Sequence, residues 1–317
     1  MQSRTRSIIR RVLPENIAYA LRFLRNVFRM LEKRRTQRIF AAATDAPPYL
    51  DVNALEMLQM KYPYRLEYGY DAHSLEERGV ARAAQILRLP GARKADSFLE
   101  LGCGDAMVSC ILCRKGKKAA AIDKCDTGFD ERASSEGVDL FKMDAVDLRF
   151  EDESFDFVFS YESFEHFASP EDVLREAIRV VRKNGYIYLE FGPLYYSAFG
   201  EHAYRSITVP FCQFLFPRDL INDFATRKGL IPIDFAHVNG WSLESYRELW
   251  NKYSHILKRI RYHEIVDLSH LRLIRLYPSC FRSRSSYFDN FIVSNICVLF
   301  QKSAKMLDQQ GGLFHGP

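Results

Sequence analysis

The run FLELGCGD, residues 98–105, decides how the rest of the chain is read. Phe98, Leu99 and Leu101 make a short apolar strand that ends in a glycine-punctuated turn, and residues 108–112 resume with helical spacing. Gly102 and Gly104 have no Cβ, so the backbone takes a tight path and lets a polar ligand approach its N–H groups. Strand, turn and helix form a cradle for a nucleotide. The dinucleotide fingerprint asks for a third glycine where this chain has Met107, which weakens a pyrophosphate reading. Glu100 and Asp105 flank the turn instead. Carboxylates repel phosphate and attract a cationic group, so the expected ligand is a phosphate-free, positively charged nucleoside.

S-adenosylmethionine fits that description, and at this point the chain resembles a known family. Residues 98–106 are similar to the first motif of the class I S-adenosylmethionine-dependent methyltransferases, an acidic residue before Gly-x-Gly-x-Gly, with Ala106 in place of the last glycine. AAAID (119–123) resembles that family's second strand, and Met143-Asp144-Ala145 its adenine-contacting turn. FDFVFSYESFEH (155–166) resembles the fourth strand and active-site edge. VLREAIRVVRKNG (173–185) resembles the helix before the fifth strand in the subgroup that includes ubiquinone-type small-molecule methyltransferases. The resemblance implies S-adenosylmethionine as cofactor, with Glu100, Gly102, Cys103, Gly104 and Asp105 in the loop around it. It also implies Asp123 and Lys124 at the ribose, Asp144 and Ala145 at the adenine, and Ser160 and Tyr161 at the edge of the fourth strand.

At 317 residues the chain can build a deep core without staples. Its seven cysteines are odd in number and scattered, which fits a reducing compartment. Cys110 and Cys113 form a Cys-x-x-Cys pair on an expected helix, with no further ligands nearby to complete a zinc site, so no metal is expected. No apolar run reaches the roughly 20 residues of a membrane span, and Arg10 and Arg11 interrupt any leader-like stretch. A cytoplasmic protein is expected. The charge is uneven: residues 1–40 carry eleven Lys or Arg against Glu15 and Glu32, a net +9 that leaves −4 for the remainder.

In that basic arm Ile17, Leu21, Leu24, Phe28 and Leu31 repeat at helical spacing between Arg22, Arg25, Arg29 and Arg35, and Pro14 and Glu15 fall in the first turn. Three partners suit such a helix: the protein's own body or a second subunit, an anionic membrane surface met by residues 16–40, or nucleic acid. Residues 43–63, with Pro47, Pro48 and Pro63, read as a linker. Residues 74–89 read as a helix with Ser74 as N-cap and Glu77 closing a capping box. Tyr68, Tyr70 and His73 before it read as surface residues first and as candidate pocket residues second. From Asp96 strands and helices alternate, which predicts an α/β fold with a doubly wound parallel sheet, and the resemblance implies a mostly parallel, seven-stranded sheet closed by an antiparallel pair. Strands are expected at 98–101, 119–122, 138–141, 155–159 and 186–191, and helices at 106–114 and 170–182. Beyond Phe191, helices are expected at 218–228 and 242–253 and a last strand at 291–300, paired with 256–265 in preference to 231–238. The expected divisions are a basic arm (1–45), a linker and cofactor-covering helix (46–95), the cofactor-binding core (96–192), a helical insertion or lid (193–286), and a last strand with a frayed tail from Asp308 (287–317).

Methyl transfer from a sulfonium is an in-line displacement in which positioning supplies much of the rate, and a hydroxyl acceptor needs its proton removed. His166 after the fourth strand and His202 in the turn GEHAY are the candidate bases, with Glu165 and Glu162 as alternatives. Methyltransferases acting on base amines carry an Asn/Asp-Pro-Pro-Tyr clamp where this chain has Ser160-Tyr161-Glu162-Ser163, so nucleic acid is disfavoured as substrate. The preferred acceptor is a small molecule, a lipid-linked intermediate or a glycan, methylated at oxygen. A nucleotide-dependent oxidoreductase and a catalytically silent, membrane-recruited interaction protein are the competing classes. The oligomeric state is not legible.

Overall fold

The computed structural model describes residues 15–46, 49–63 and 69–304. Pro14, Pro47, Pro48, Tyr68 and the tail from Asp308 lie outside the described residues, as do the side chains of Ile17 and Arg22. The chain opens with helices α1 (Glu15–Ala41), α2 (Val52–Lys61) and α3 (Ala72–Ile86). An alternating core follows: β1 (Ser97–Leu101), α4 (Met107–Arg114), β2 (Lys118–Asp123), α5 (Glu131–Ser135), β3 (Asp139–Lys142), β4 (Phe155–Tyr161), α6 (Pro170–Val180) and β5 (Val181–Phe191). Then come α7 (Cys212–Leu215), α8 (Arg218–Arg227), α9 (Leu243–Lys252), β6 (Leu257–Val266), α10 (Leu271–Leu276), α11 (Pro278–Arg282) and β7 (Val293–Lys302).

The seven strands form one sheet in the order β3-β2-β1-β4-β5-β7-β6. The first five pair in parallel, and β7 enters antiparallel between β5 and β6. β1 is buried on both faces from Phe98 to Leu101, Glu100 included, as its place at the centre of a parallel sheet requires. Asp156 fastens the opposite end of the sheet: its Oδ2 accepts from the backbone N–H of Asp96 and Ser97 at 2.9 and 3.0 Å, while Oδ1 pairs with Arg182 at 2.6 Å. The chain leaves β1 toward one edge and returns at β4 toward the other. A crevice therefore opens at the carboxyl ends of β1 and β4. α3 covers it, packed so closely on α4 that a Cβ on Gly79 would lie 2.9 Å from the Met107 carbonyl oxygen.

Several boundaries differ from the sequence expectation. α3 begins at Ala72 because Asp71, not Ser74, is the cap: its Oδ1 accepts from the N–H groups of His73 and Ser74, and Ser74 Oγ donates to Oδ2 at 2.6 Å. An ionised acceptor at the positive end of the helix outcompetes a hydroxyl one residue turn later. The expected linker contains α2, capped by Asp51 and held by buried Leu55 and Leu58. α6 stops at Val180, and 181–185 open the long strand β5. The last strand starts at Val293, since Phe288–Phe291 is a 3-10 turn. Its partner is β6, and 231–238 forms no strand. Phe40, α2 and the segment between β5 and β7 share one apolar core, in which Phe211, Phe214, Phe281 and Phe291 meet edge-on.

Candidate active site

The glycine turn after β1 keeps left-handed backbone at Gly102 (φ 66°) and Gly104 (φ 54°). A Cβ at Gly102 would lie 2.6 Å from that of Ser163, whose Oγ donates to the Gly102 carbonyl at 2.7 Å. A Cβ at Gly104 would meet nothing within 4 Å, so this face of the turn is open to a ligand. Ala106 is also left-handed (φ 59°) and fully buried. It holds the conformation a glycine adopts freely, at a cost of roughly 1–2 kcal/mol. Asp105 Oδ1 accepts the Met107 N–H at 2.9 Å and so starts α4.

At the end of β2, Asp123 Oδ2 accepts the Gly104 N–H at 3.0 Å and Oδ1 that of Cys125 at 3.1 Å. The carboxylate thus ties two strand ends together with backbone donors alone and stays partly exposed at the crevice. Lys124 pairs with Asp144 at 3.0 Å across the ends of β2 and β3, above buried Ala145. Glu100 is different. Its carboxyl is buried, accepts from Ser109 N–H and Oγ at 3.2 and 2.6 Å, and is pushed up to about 8 by burial. Asp105 meets Arg78 at 3.4 Å, and Glu162 is paired with Arg82. The acidic rim inferred from sequence is therefore largely compensated: Glu100 is uncharged near neutral pH and two rim carboxylates face arginines of α3.

Beside this crevice lies a cavity of about 760 Å³, walled by the ends of β4 and β5, the segment after Pro193, and the start of β7. Tyr70, Glu162, Glu165, His166, His202 and His237 supply much of its polar surface. The link to the glycine turn is the segment 161–166, where Ser163 bonds the turn and its neighbours line the cavity. Glu165 is buried, and its Oε1 accepts the Gly192 N–H at 3.0 Å while Oε2 has no partner. Burial pushes this carboxyl up to about 8. His166 Nδ1 donates to the His237 carbonyl at 2.7 Å, and His202 Nε2 to that of Pro193 at 3.0 Å. Burial holds His166 below the usual imidazole range and His202 at about 4, so both are neutral near pH 7. His202 and Glu162 have positive φ (55° and 48°), a strain that gathers at functional sites.

The profile of the methyltransferase-domain family matches residues 99–189, a span that starts in β1 and ends in β5. Residues 99–189 thus carry a methyltransferase domain, similar to those of the class I S-adenosylmethionine-dependent enzymes. Two curated methyltransferases are similar over part of it. Methyltransferase GfsG of Streptomyces halstedii is 28% identical over 158 residues, 46% of this chain and 56% of that protein. The 27-O-demethylrifamycin SV methyltransferase of Amycolatopsis mediterranei is 28% identical over 147 residues, 41% and 52% of the two chains. The chain thus spans about half the length of the curated relatives it matches. A solved SAM-dependent methyltransferase of Methanosarcina mazei aligns with a TM-score of 0.43 at 16% identity, covering 66% of this chain and 93% of that one.

Within the methyltransferase core, the structure gathers Gly102, Gly104, Asp105, Asp123, Lys124 and Asp144 at one crevice. Cys103 is buried there, its N–H donating to the Ile122 carbonyl at 3.0 Å. The side chain of Glu100 points inward to Ser109 and supports the loop instead of facing the ligand, and those of Ser160 and Tyr161 turn away from the crevice, a correction to their expected place at the cofactor. Ser160 Oγ donates to the Leu101 carbonyl at 2.9 Å, and Tyr161 packs in the core under the Arg82 guanidinium. From Phe157 to Tyr161 β4 is buried on both faces, so its side chains do not reach the crevice. Tyr70 borders the cavity while remaining largely exposed, whereas His73 is exposed beside Glu77. His237 was missed. It lies in an irregular stretch with no periodicity, and only the path of the chain after β5 brings it to His166.

Proposed function

We propose that this chain transfers a methyl group from S-adenosylmethionine to a hydroxyl oxygen of a small-molecule, lipid-linked or glycan acceptor held in the cavity. The observation that carries the reading is the junction at 161–166: one short segment holds the glycine turn on one side and walls a polar cavity on the other. The open face at Gly104 and the carboxylate of Asp123 fit the nucleoside, the carboxylate's free lone pairs being disposed to accept from ribose hydroxyls. Asp144 and Ala145 are then at the adenine side. Bound S-adenosylmethionine supplies an activated methyl on a sulfonium, so the protein's part is alignment and removal of one proton. Neutral His166, with Nδ1 committed to the His237 carbonyl, keeps the Nε2 lone pair for the acceptor proton. His202 and Glu165 complete that wall. The printed name of the Amycolatopsis relative, a methyltransferase for an O-demethylated compound, favours oxygen over nitrogen.

The N-terminal helix supports a membrane-adjacent acceptor. Its last turns dock on the body through buried Thr36 and Phe40, a Glu32–Arg275 pair and Lys33–Asp289 at 3.4 Å. Leu21, Phe23, Leu24, Phe28 and Leu31 are each more than half exposed. The described part of the body therefore leaves the apolar stripe uncovered, open to a second subunit or a membrane surface. With Arg25 and Arg29 beside it, the stripe matches an anionic bilayer surface. Among the described residues no helix is long and apolar enough to cross a membrane.

The test is label transfer from methyl-labelled S-adenosylmethionine into small-molecule, glycan and lipid extracts. Wild type is expected to label one of these pools and His166→Gln to lose at least about tenfold in rate. Labelling of protein or nucleic acid alone contradicts the acceptor reading.

A further inference from the structure

We propose that His166, His202 and His237 form a binding site for a divalent cation of the zinc class at the wall of the cavity. Three of the chain's eight histidines converge there from separate segments, and one ring nitrogen from each lies within 4.8 Å of the others. Ring centroids are 4.8 Å apart for His166 and His202, and 4.3 Å for His166 and His237. Three imidazoles rarely crowd together for packing alone, because each keeps a lone pair that wants a donor.

The hydrogen bonds that two of the rings make to backbone carbonyls argue for a ligand set. His166 Nδ1 and His202 Nε2 each engage a backbone carbonyl. That contact is how metal-bound histidines are oriented, since it fixes the tautomer and leaves the other nitrogen as donor to the ion. A second, independent observation is Glu165, 2% exposed, with Oε1 4.0 Å from His166 Nε2 and Oε2 without a partner. A buried carboxyl group with one unpaired oxygen, next to His166, is well matched to a cation. His202 also holds its left-handed backbone at this point.

Nitrogen ligands select a first-row divalent ion over magnesium or calcium, which prefer oxygen. With metal–nitrogen bonds of about 2.0–2.1 Å the three nitrogens must draw together to roughly 3.3 Å. His237, exposed on irregular chain, can supply that movement. Three ligands leave at least one position open to the cavity, for water or an acceptor oxygen. That last role rests on the proposed acceptor; binding of the ion does not. A loaded site uses the His166 lone pair as ligand, so metal and proton are alternative occupants of the same atom.

The experiment is equilibrium dialysis of the chelator-treated full chain against zinc(II), with cobalt(II) absorption as a second readout of imidazole ligation. One ion per chain is expected. His237→Ala and His202→Asn, the latter keeping a residue tolerant of left-handed backbone, should each weaken binding at least about tenfold. His263→Ala and Cys125→Ser should leave it unchanged. Absence of stoichiometric uptake by the folded wild type, undiminished uptake by His237→Ala, or loss only in Cys125→Ser overturns the site. Calorimetry with S-adenosylmethionine on the same samples separates the two proposals: cofactor binding without metal uptake removes this site and leaves the methyltransferase reading standing.

Discussion

Glu100 is a carboxyl group sealed beneath the glycine turn, and its proton matters more than its charge. Burial raises it from 4.5 to about 8, so between those values the folded protein keeps a proton that the unfolded chain releases. Its contribution is full below about pH 4.5 and is lost as the pH rises toward 8, at roughly 1.4 kcal/mol per pH unit across that window. Glu100→Gln keeps the shape without the titration. Urea unfolding at several pH values should therefore show wild type losing several kcal/mol relative to Glu100→Gln between about pH 5 and 8; parallel curves would contradict an inward, protonated Glu100. The same residue marks a limit of sequence reading. An acid two places before a glycine loop is legible as part of the motif, but whether it faces ligand or Ser109 depends on which side of β1 it leaves. Gly102, Gly104 and Asp123 were legible because turn and strand end are local features. Ser160 and Tyr161 were not, because a strand buried on both faces gives no alternation from which to tell inward from outward.

At the scale of elements, the helix from Glu15 to Ala41 carries the clearest unmet surface. Its periodicity and charge were readable from the residues, whereas the extent of its docking was not: only the last turns find partners on the body. Leu24 and Phe28 are 62% and 64% exposed, so Leu24→Ser with Phe28→Ser removes apolar surface without opening the core. We expect the melting temperature to stay within a degree or two of wild type and flotation with anionic vesicles to fall by about tenfold or more, binding in wild type weakening with salt. Equal flotation by both proteins, or a change confined to oligomeric state, would assign this surface to a second copy instead of lipid. The helix at Val52–Lys61 escaped sequence reading for a different reason. Prolines bracket it, and its two buried leucines acquire meaning only against the phenylalanine-rich core built much later in the chain.

For the whole molecule, the alternation of strands and helices from Asp96 was enough to give the sheet and its crevice, since right-handed crossovers leave few other topologies. The antiparallel pair of β7 and β6 was expected from the family resemblance, with the apolar run before Gln301 marking the last strand. What could not be read was the floor of the cavity. It is assembled from the ends of β4 and β5, the strained turn at His202, and the irregular stretch bearing His237, a convergence set by the three-dimensional path of the chain. The acidic rim first invoked to attract a cationic nucleoside is largely compensated by Arg78 and Arg82. Selectivity for a phosphate-free ligand then falls to Asp123 and the open turn at Gly104. Isothermal titration of the full chain with S-adenosylmethionine tests this most directly. The expected result is one-to-one binding, weakened at least about tenfold in Asp123→Ala by loss of charge-assisted hydrogen bonds; no heat with S-adenosylmethionine, binding of a nicotinamide dinucleotide in its place, or undiminished affinity in Asp123→Ala would contradict it.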